Sequence, residues 1–252
     1  MFAIALKQEQ YSTYILTAQD TQSRLEVVPE RGGLISHWSV QGQDILYFDA
    51  ERFRDPTLSV RGGIPILFPI CGNLPDNTYT HQGKPYQLKQ HGFARDLPWQ
   101  VTERVTNDLV SLTLVLNSND QTRAVYPFDW QLTFTYQLQF EIPAAEYQDQ
   151  LTGQVSSFKG GFDWSEDEID VAFRQVTDQS ATVTDQQRRL KLTLSYDELY
   201  STLVFWTVKG KDYYCLEPWS APRNALNTGE NLTKLAPGES LETSVQLNVT
   251  FF

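Results

Sequence analysis

The sequence predicts an all-β protein that folds as one large antiparallel β-sandwich. Apolar and polar residues alternate with a period of two in many stretches, which is the pattern of half-buried strands. No window combines the length, the periodicity and the capping residues of a stable helix. Because the 252 residues contain no linker, low-complexity tract or repeat of fixed period, we expect a single domain over residues 1–252.

The predicted strands extend from the first residues of the chain to the last. Alternation is clearest at residues 110–116, 190–196 and 241–251, where mostly apolar side chains occupy every second position. Turns rich in Gly, Pro, Asn and Asp separate the runs. In chain order we predict strands at residues 2–7, 11–17, 24–28, 34–40, 110–116, 168–174, 190–196, 202–208, 212–217 and 241–251.

One alternating run is longer than an ordinary strand. Residues 130–142 place an aromatic or aliphatic side chain at every second position, with no turn residue between them. Strands in globular proteins usually have about five or six residues and rarely exceed about ten. We therefore expect either one very long strand or two strands that are joined directly where a connection would normally stand.

Charge and hydropathy exclude two classes of protein. Thirty-one acidic residues against twenty basic ones give a formal net charge of −11, which argues against non-specific nucleic-acid binding through a basic surface. No run of about eighteen apolar residues occurs, so we expect no transmembrane helix and no membrane partner. The N-terminus lacks the basic start of a secretory signal peptide, and we expect a cytoplasmic protein.

The cysteines argue against disulfides and a zinc site, and the aromatic residues are compatible with sheets and with sugar binding. Cys71 and Cys215 lie far apart, without a CxxC pair or a histidine cluster, so we expect neither a disulfide framework nor a structural zinc site. Aromatic residues make up 13% of the chain. Such rings favour pleated sheets, and they can also bind the C–H face of a sugar.

Two segments in the first half of the chain combine charged side chains with tight turns. Residues 60–69 place Arg61 before two glycines and two prolines, although a strand bend with a surface arginine explains this pattern equally well. Residues 90–96 place His91 four positions before Arg95, with a glycine between them that allows close backbone approach to a ligand. A structural or solvated histidine is the alternative there.

A third segment, residues 215–227, contains a carboxylate where an apolar strand ends. Glu217 lies just before a proline-broken loop and near Trp219. Burial beside an aromatic ring would raise the pKa of this carboxyl group and make it suitable as a general base. An ordinary acid at a strand end is the alternative that the segment alone leaves open.

Taken together, the strings RGGIPILFP, HGFARD and LEPWSAPRNALN resemble the aldose 1-epimerase (mutarotase) family, particularly its branch close to the hexose-6-phosphate mutarotases. The resemblance covers nearly the whole chain in order, from residues 25–33 to residues 237–239. It implies the galactose mutarotase-like supersandwich, in agreement with the all-β pattern. It also implies that the chain interconverts the α and β anomers of an aldohexose or a hexose 6-phosphate.

The implied reaction needs a base and an acid. The base removes the proton of the C1 hydroxyl while the acid protonates the ring oxygen; the ring opens, the aldehyde carbon rotates, and the ring closes on its other face. Because only protons move, the resemblance implies no cofactor and no metal. In the family's pattern Glu217 matches the general base, and His91 matches a histidine beside the sugar ring that can donate a hydrogen bond to developing negative charge.

The resemblance also assigns the residues that bind substrate. Arg61, Gln90 and Arg95 match ligand-binding positions of the phosphosugar branch, and the two guanidinium groups suit a phosphate. Asp170 matches an acceptor for a sugar hydroxyl. The other two histidines of the chain match no catalytic position, and we expect them at the surface or in turns.

The chain departs from the family at its general acid. The family's second histidine, in a string like His-Pro-Tyr-Phe, has no counterpart between His91 and Glu217. In the family it lies between two strands that match residues 130–138 and 139–143, which are fused here. We therefore expect an internal deletion near 138–139 and impaired turnover, since a placed acid typically contributes about 10²- to 10⁴-fold.

Three functions are thus compatible with the sequence. The first is a mutarotase-family enzyme, as retention of Glu217 and His91 suggests. The second is a non-catalytic protein that binds a sugar or sugar phosphate through Arg61, Gln90, Arg95 and Asp170, as the missing acid suggests. The third is a structural or regulatory β-sandwich without a ligand.

Overall fold

The computed structural model describes residues 2–19, 22–106, 110–137, 147–149, 155–156, 166–174, 176, 178–185, 188–211 and 213–252. The chain divides into two compact units, Met1–Leu138 and Gln139–Phe252. Within the described ranges antiparallel strands dominate, and the α-helices have only four to six residues. The predicted all-β class is confirmed. None of the helices described is long and apolar enough to span a membrane.

The first unit consists of two antiparallel sheets and a separate hairpin. Its strands are β1 (Phe2–Gln8), β2 (Ser12–Ala18), β3 (Ser23–Val28), β4 (Leu34–Val40), β5 (Gln43–Asp44), β6 (Thr78–His81), β7 (Lys84–Gln87), β8 (Gln100–Val105), β9 (Ser111–Asn117) and β10 (Gln131–Gln137). Its α-helices are α1 (Ala50–Arg54) and α2 (Asp120–Val125). The sheet orders are β1-β2-β3-β4-β5 and β10-β9-β8, and β6 pairs with β7.

The alternation of the sequence explains the packing of this unit. In the five-stranded sheet Leu16 pairs with Leu25, which pairs with Trp38, and all three side chains are buried. In the three-stranded sheet the central strand β9 buries Leu112 and Leu114 completely. Burial of such side chains contributes about 1.5–3 kcal/mol each relative to exposure. Apolar positions two residues apart therefore form the core of the unit.

The second unit contains one larger and one smaller antiparallel sheet. Its strands are β11 (Tyr147–Asp149), β12 (Val155–Ser156), β13 (Glu168–Arg174), β14 (Ser180–Asp185), β15 (Leu190–Tyr196), β16 (Thr202–Val208), β17 (Cys215–Trp219) and β18 (Val245–Phe251), and its α-helix is α3 (Ala225–Thr228). The sheet orders are β12-β11-β13-β16-β17 and β14-β15-β18.

The last strand begins later than the sequence pattern predicts. We expected a strand over 241–251, whereas β18 starts at Val245. Its partner β15 ends at Tyr196, directly opposite Val245, so the four preceding residues have no strand to pair with. There the carboxylate of Asp197 accepts hydrogen bonds from the backbone N–H of Ser244 and the hydroxyl of Thr243.

The long run at residues 130–142 is described only in part. Strand β10 covers Gln131–Gln137 and pairs along its whole length with β9. Residues 138–142, and with them the expected deletion near 138–139, lie outside the described residues. The boundary between the two compact units falls between residues 138 and 139. The expectation of a single domain over residues 1–252 stays a prediction.

Candidate active site

The register of the larger sheet in the second unit places both candidate carboxylates on one face. Strand β16 lies between β13 and β17. Its Trp206 is opposite Asp170 on one side and Cys215 on the other, and its Val204 is opposite Glu217. Because side chains two residues apart point to the same face, these five side chains share one face of the sheet.

The opposite face of the same strands belongs to the core. The buried cluster on that side includes Val171 of β13 and Phe205 of β16, and Leu216 of β17 packs against it. The site face is thus set by the pleat, since a shift of one residue in register would exchange the two sets of side chains. The alternation that builds the core therefore also positions Asp170 and Glu217.

Glu217 lies in the middle of β17 rather than at the end of a strand, where the sequence analysis expected it, because the strand continues to Trp219. Its surroundings suit a general base. Its side chain is half-buried, and the indole Nε1 of Trp219 donates a hydrogen bond to Oε2 over 3.0 Å. Burial raises the pKa of the Glu217 carboxyl group above its ordinary value, and the negative charge of Asp170 raises it further. Hydrogen bonds from Trp219 and Cys215 and the charge of Arg223 act in the opposite direction.

Asp170 is buried and is bound by a cation that the sequence analysis did not identify. Only 12% of its side chain is exposed, and Nη2 of Arg223 donates a hydrogen bond to its Oδ2 over 3.1 Å. The Arg223 guanidinium also lies over the ring of Trp219, 5.8 Å from its centroid. Arg223 stands in the string APRNALN, but nothing in the local sequence indicates a partner 53 positions away.

His91 in the first unit is held in a defined orientation. It has a positive φ of 65°, and its backbone N–H donates to the carbonyl oxygen of Gly72 over 2.8 Å. The backbone N–H of Gly72 donates in return to Nδ1 of His91 over 3.0 Å. Because Nδ1 is an acceptor, the neutral ring carries its hydrogen on Nε2. This nitrogen can donate a hydrogen bond to developing negative charge, as the resemblance implies.

The segment with Gln90 and Arg95 is attached to the segment that begins with Arg61. The carbonyl oxygen of Phe68 accepts hydrogen bonds from the two N–H groups that follow Gly92, over 2.9 and 3.2 Å. A Cβ atom at Gly92 would overlap this same carbonyl group. Nη2 of Arg95 donates to the carbonyl oxygen of Gln90 over 3.3 Å, so both residues lie in one closed loop with His91.

Arg61 precedes a tight turn at the start of its segment. Its side chain is exposed, and its carbonyl oxygen accepts a hydrogen bond from the N–H of Asp49 over 3.1 Å. At the next position, Gly62 has a φ of 80°, and a Cβ atom there would overlap the carbonyl oxygen of Tyr47. The backbone fixes where the Arg61 side chain begins and leaves its guanidinium group at the surface.

The remaining histidines have structural surroundings. Nε2 of His37 lies 3.3 Å from Oδ1 of Asp44 at the β4–β5 edge. The ring of His81 packs against Phe128 with centroids 4.8 Å apart, at the end of β6. Among the residues that the structure describes, no group of three or more His, Cys, Asp or Glu side chains could hold a metal ion.

Two comparisons with known proteins concern sequence. The model of the aldose 1-epimerase family matches residues 14–141, which is half of the chain. A Salmonella typhimurium protein that is provisionally named a glucose-6-phosphate 1-epimerase is 32% identical over 104 residues. This match covers 40% of the present chain and 32% of that protein. A provisionally named homologue from Escherichia coli K12 is 29% identical over the same shares. The chain thus matches about a third of the length of these curated relatives.

Solved structures match over the full length of the chain. The Slr1438 protein from Synechocystis sp. PCC 6803 is 45% identical with a TM-score of 0.92, and the match covers 100% of both chains. A galactose mutarotase-like protein from Clostridium acetobutylicum has a TM-score of 0.78 at 16% identity, covering 100% of this chain and 99% of that one. This second likeness concerns the fold alone, and it confirms the predicted galactose mutarotase-like sandwich. With half of its length matched by the family model, the chain belongs to the aldose 1-epimerase family.

Proposed function

We propose that this protein interconverts the α and β anomers of an aldohexose or a hexose 6-phosphate. The observation that carries the proposal is Glu217: a half-buried carboxylate with a raised pKa, placed on the face of the sheet opposite the core. A general base is most effective when its pKa lies closer to the working pH than that of a free carboxylate. Membership of the aldose 1-epimerase family supports the same reaction.

In the proposed reaction Glu217 takes the proton of the C1 hydroxyl group. The electron pair of that O–H bond forms the aldehyde carbonyl, and the bond between C1 and the ring oxygen breaks. The ring oxygen takes a proton from a solvent water molecule, and the hydroxide that remains is neutralised by the proton that Glu217 gives up. After rotation about the C1–C2 bond the same steps run in reverse. Because Trp219 donates to Oε2 of Glu217, it holds the carboxylate in one orientation for this transfer.

In this proposal His91 stabilises the transition state of ring opening. Its neutral ring carries the hydrogen on Nε2, because Nδ1 accepts a hydrogen bond from the N–H of Gly72. A donor aimed at the ring oxygen stabilises the negative charge that develops there when the C1–O bond breaks. The family's second histidine has no counterpart in the sequence, and we expect the rate to be lower by about 10²- to 10⁴-fold than with a placed general acid.

Selection of phosphorylated sugars is assigned to the first unit. Arg61 and Arg95 supply guanidinium groups, which bind phosphate through charge-assisted and bidentate hydrogen bonds. Gln90 lies in the same closed loop as Arg95, and its side-chain amide is proposed to hydrogen-bond the ligand. Asp170 accepts a hydrogen bond from a sugar hydroxyl. Small-molecule sugars or sugar phosphates are the proposed ligands, and a cytoplasmic location without nucleic-acid or membrane partners stays a prediction.

A sugar-binding protein without turnover is the second candidate, and the missing acid is the observation that favours it. Calorimetric titration with glucose and glucose 6-phosphate, beside polarimetry of each sugar that starts from one pure anomer, separates the two. Binding with accelerated loss of optical rotation supports the enzyme. Binding with the spontaneous rate supports the second candidate, and neither binding nor acceleration would overturn both.

A further inference from the structure

We infer that Arg223 is a positioning residue for Glu217, because it binds two of the side chains that act on the Glu217 carboxylate. One of these is Asp170, on β13, and the other is Trp219, on the same strand as Glu217. The inference rests on the proposed role of Glu217 as the base, and it adds a residue to which the resemblance described above assigns no role.

The backbone holds Arg223 in place. It stands between Pro222, whose ring fixes φ, and Asn224, which has a positive φ of 68°. The carbonyl oxygen of Pro222 accepts a hydrogen bond from the N–H of Ala225 over 3.2 Å. The carbonyl oxygen of Asn224 accepts two more from N–H groups of α3, over 3.0 and 3.1 Å. The backbone position from which the Arg223 side chain extends is therefore fixed by a closed turn.

The first partner, Asp170, depends on the cation for its charge. A carboxylate whose side chain is only 12% exposed is costly to ionise unless it is paired and hydrogen-bonded. Nη2 of Arg223 lies 3.1 Å from Oδ2 and provides both a charge and a hydrogen bond. Asp170 is in turn close enough to Glu217 for its charge to raise the pKa of that group.

The second partner, Trp219, connects Arg223 to the base by a different route. Its side chain is almost fully buried, and the guanidinium of Arg223 lies 5.8 Å from the ring centroid, within the range of a cation–π contact. The edge of the same indole donates from Nε1 to Oε2 of Glu217. Arg223 thus contacts the face of the ring that supplies the hydrogen bond to the base.

Other charged groups in the described part of this unit act less directly on Glu217. Strand β13 also carries Glu168 and Arg174 on the site face, but Glu168 accepts a hydrogen bond from the indole of Trp206 and Arg174 pairs with Glu230. Strand β16 contributes no titratable side chain to this face, since Thr202, Val204 and Trp206 occupy it. On β17 itself the thiol of Cys215 is hydrogen-bonded to Glu217.

Loss of Arg223 removes a charge that itself lowers the pKa of Glu217, and it should raise this pKa further by two routes. The charge of Asp170 would act on Glu217 without the opposing cation, and the hydrogen bond from Trp219 would weaken. Both changes disfavour the ionised base. On the acidic limb of a pH–rate profile, each unit by which this pKa rises lowers the rate about tenfold. If Arg223 only supported the loop, its loss would lower the stability of the protein but would not displace the acidic limb of the pH–rate profile.

The test uses the full chain with Arg223→Met and a matched control. Lys209→Met removes a cation from an exposed ion pair with Asp167, elsewhere in the same unit. For each variant the Glu217 carboxyl carbon is titrated by ¹³C NMR, with Glu217→Gln identifying its resonance, and the pH dependence of anomer exchange is recorded. We expect a higher Glu217 pKa and a displaced acidic limb with Arg223→Met, and neither change with Lys209→Met.

Two further variants keep the test decisive if Arg223→Met folds poorly. Arg223→Lys retains the positive charge but not the planar guanidinium group with its several N–H donors. It should shift the pKa of Glu217 by less than Arg223→Met does. The double variant Arg223→Met with Asp170→Asn removes both charges, and it should bring this pKa back towards that of the unmodified chain. An unchanged Glu217 pKa in all Arg223 variants that fold would overturn the inference. A shifted pKa in a protein that exchanges no anomers supports the inference and overturns the proposed function instead.

Discussion

At the scale of single residues, the pKa of the candidate base Glu217 is set by groups that act in opposite directions. Burial and the charge of Asp170 raise the pKa of Glu217, whereas hydrogen bonds from Trp219 and Cys215 lower it. The result is a carboxylate that is more basic than a free one but still oriented. Its environment costs stability, because a group that is hard to ionise in the folded chain ionises more easily in the unfolded chain.

The first prediction concerns this cost and its dependence on pH. Because the folded pKa of Glu217 is raised, the folded state binds its proton more tightly, and stability falls as pH rises from the unfolded value of about 4.3 to the raised value. Glu217→Gln removes this loss, so its advantage in unfolding free energy should grow with pH across that window. Urea unfolding between pH 5 and 8 measures it; a constant difference between the two chains would contradict the account.

The second prediction concerns Arg61 and Arg95. A hydrogen bond to a charged group contributes about 1.5–3 kcal/mol, so Ala at either position should weaken binding of glucose 6-phosphate by about 10- to 150-fold. Binding of glucose should change little, because it has no phosphate. Calorimetric titration of both ligands provides the measurement, and Lys209→Met is the control for loss of a surface cation. Equal losses for both ligands would show that the arginines only support their loops.

At the scale of elements, the two glycine-containing segments are connected through the carbonyl group of Phe68. It accepts hydrogen bonds from the N–H groups of Phe93 and Ala94, which close the loop that carries His91. Gly92 has a φ of 67° and approaches this carbonyl so closely that no side chain fits. The glycine in the string HGFARD is therefore required by packing as well as by its φ.

The third prediction tests this packing against a matched glycine. Gly83, in the β6–β7 turn, has a φ of 76°, and no heavy atom lies within 4 Å of the position that a Cβ atom would occupy there. Gly83→Ala should cost about 1–2 kcal/mol for the left-handed backbone alone. Gly92→Ala should cost more and should also weaken ligand binding through His91. Thermal unfolding and calorimetry of both variants check this; equal destabilisation would exclude a role for the contact with Phe68.

The elements also show what the sequence pattern could and could not predict. Strands β2–β4, β9, β13, β15 and β16 follow from alternation, because each buries side chains in a core. Strand β1 was also predicted from alternation, although none of its side chains is buried. Strands β5 to β8 were missed, since they are short or carry mostly exposed side chains. The early start predicted for β18 is wrong because alternation does not reveal where its partner β15 ends.

At the scale of the whole molecule, the candidate site was predictable where it depends on local strings. Glu217, His91 and Arg95 stand in motifs that can be recognised in the sequence alone. Arg223 was missed, although it lies in one of these motifs, because its role depends on a carboxylate 53 positions away and on the pairing of β13 with β16. Such a relation becomes visible only when the strands are placed in register.

The fourth prediction concerns the missing acid and the expected deletion near 138–139. If the acid is absent, turnover should be lower by about 10²- to 10⁴-fold than in a family member that carries the second histidine. An insert that restores the family's segment and its histidine between residues 138 and 139 should raise the rate. Anomer exchange with and without the insert is the measurement, and an insert in which that histidine is Gln is the control. A rate that the insert does not improve would show that another group protonates the ring oxygen.

The central claim is that Glu217 is the base of an anomer-interconverting enzyme, and exchange NMR on glucose 6-phosphate at equilibrium tests it most directly. The unmodified chain should exchange the α and β signals faster than the spontaneous rate. Glu217→Gln should lose this acceleration, whereas Glu242→Gln, at an exposed position outside the strands, should keep it. Exchange that is as fast with Glu217→Gln as with the unmodified chain would contradict the account.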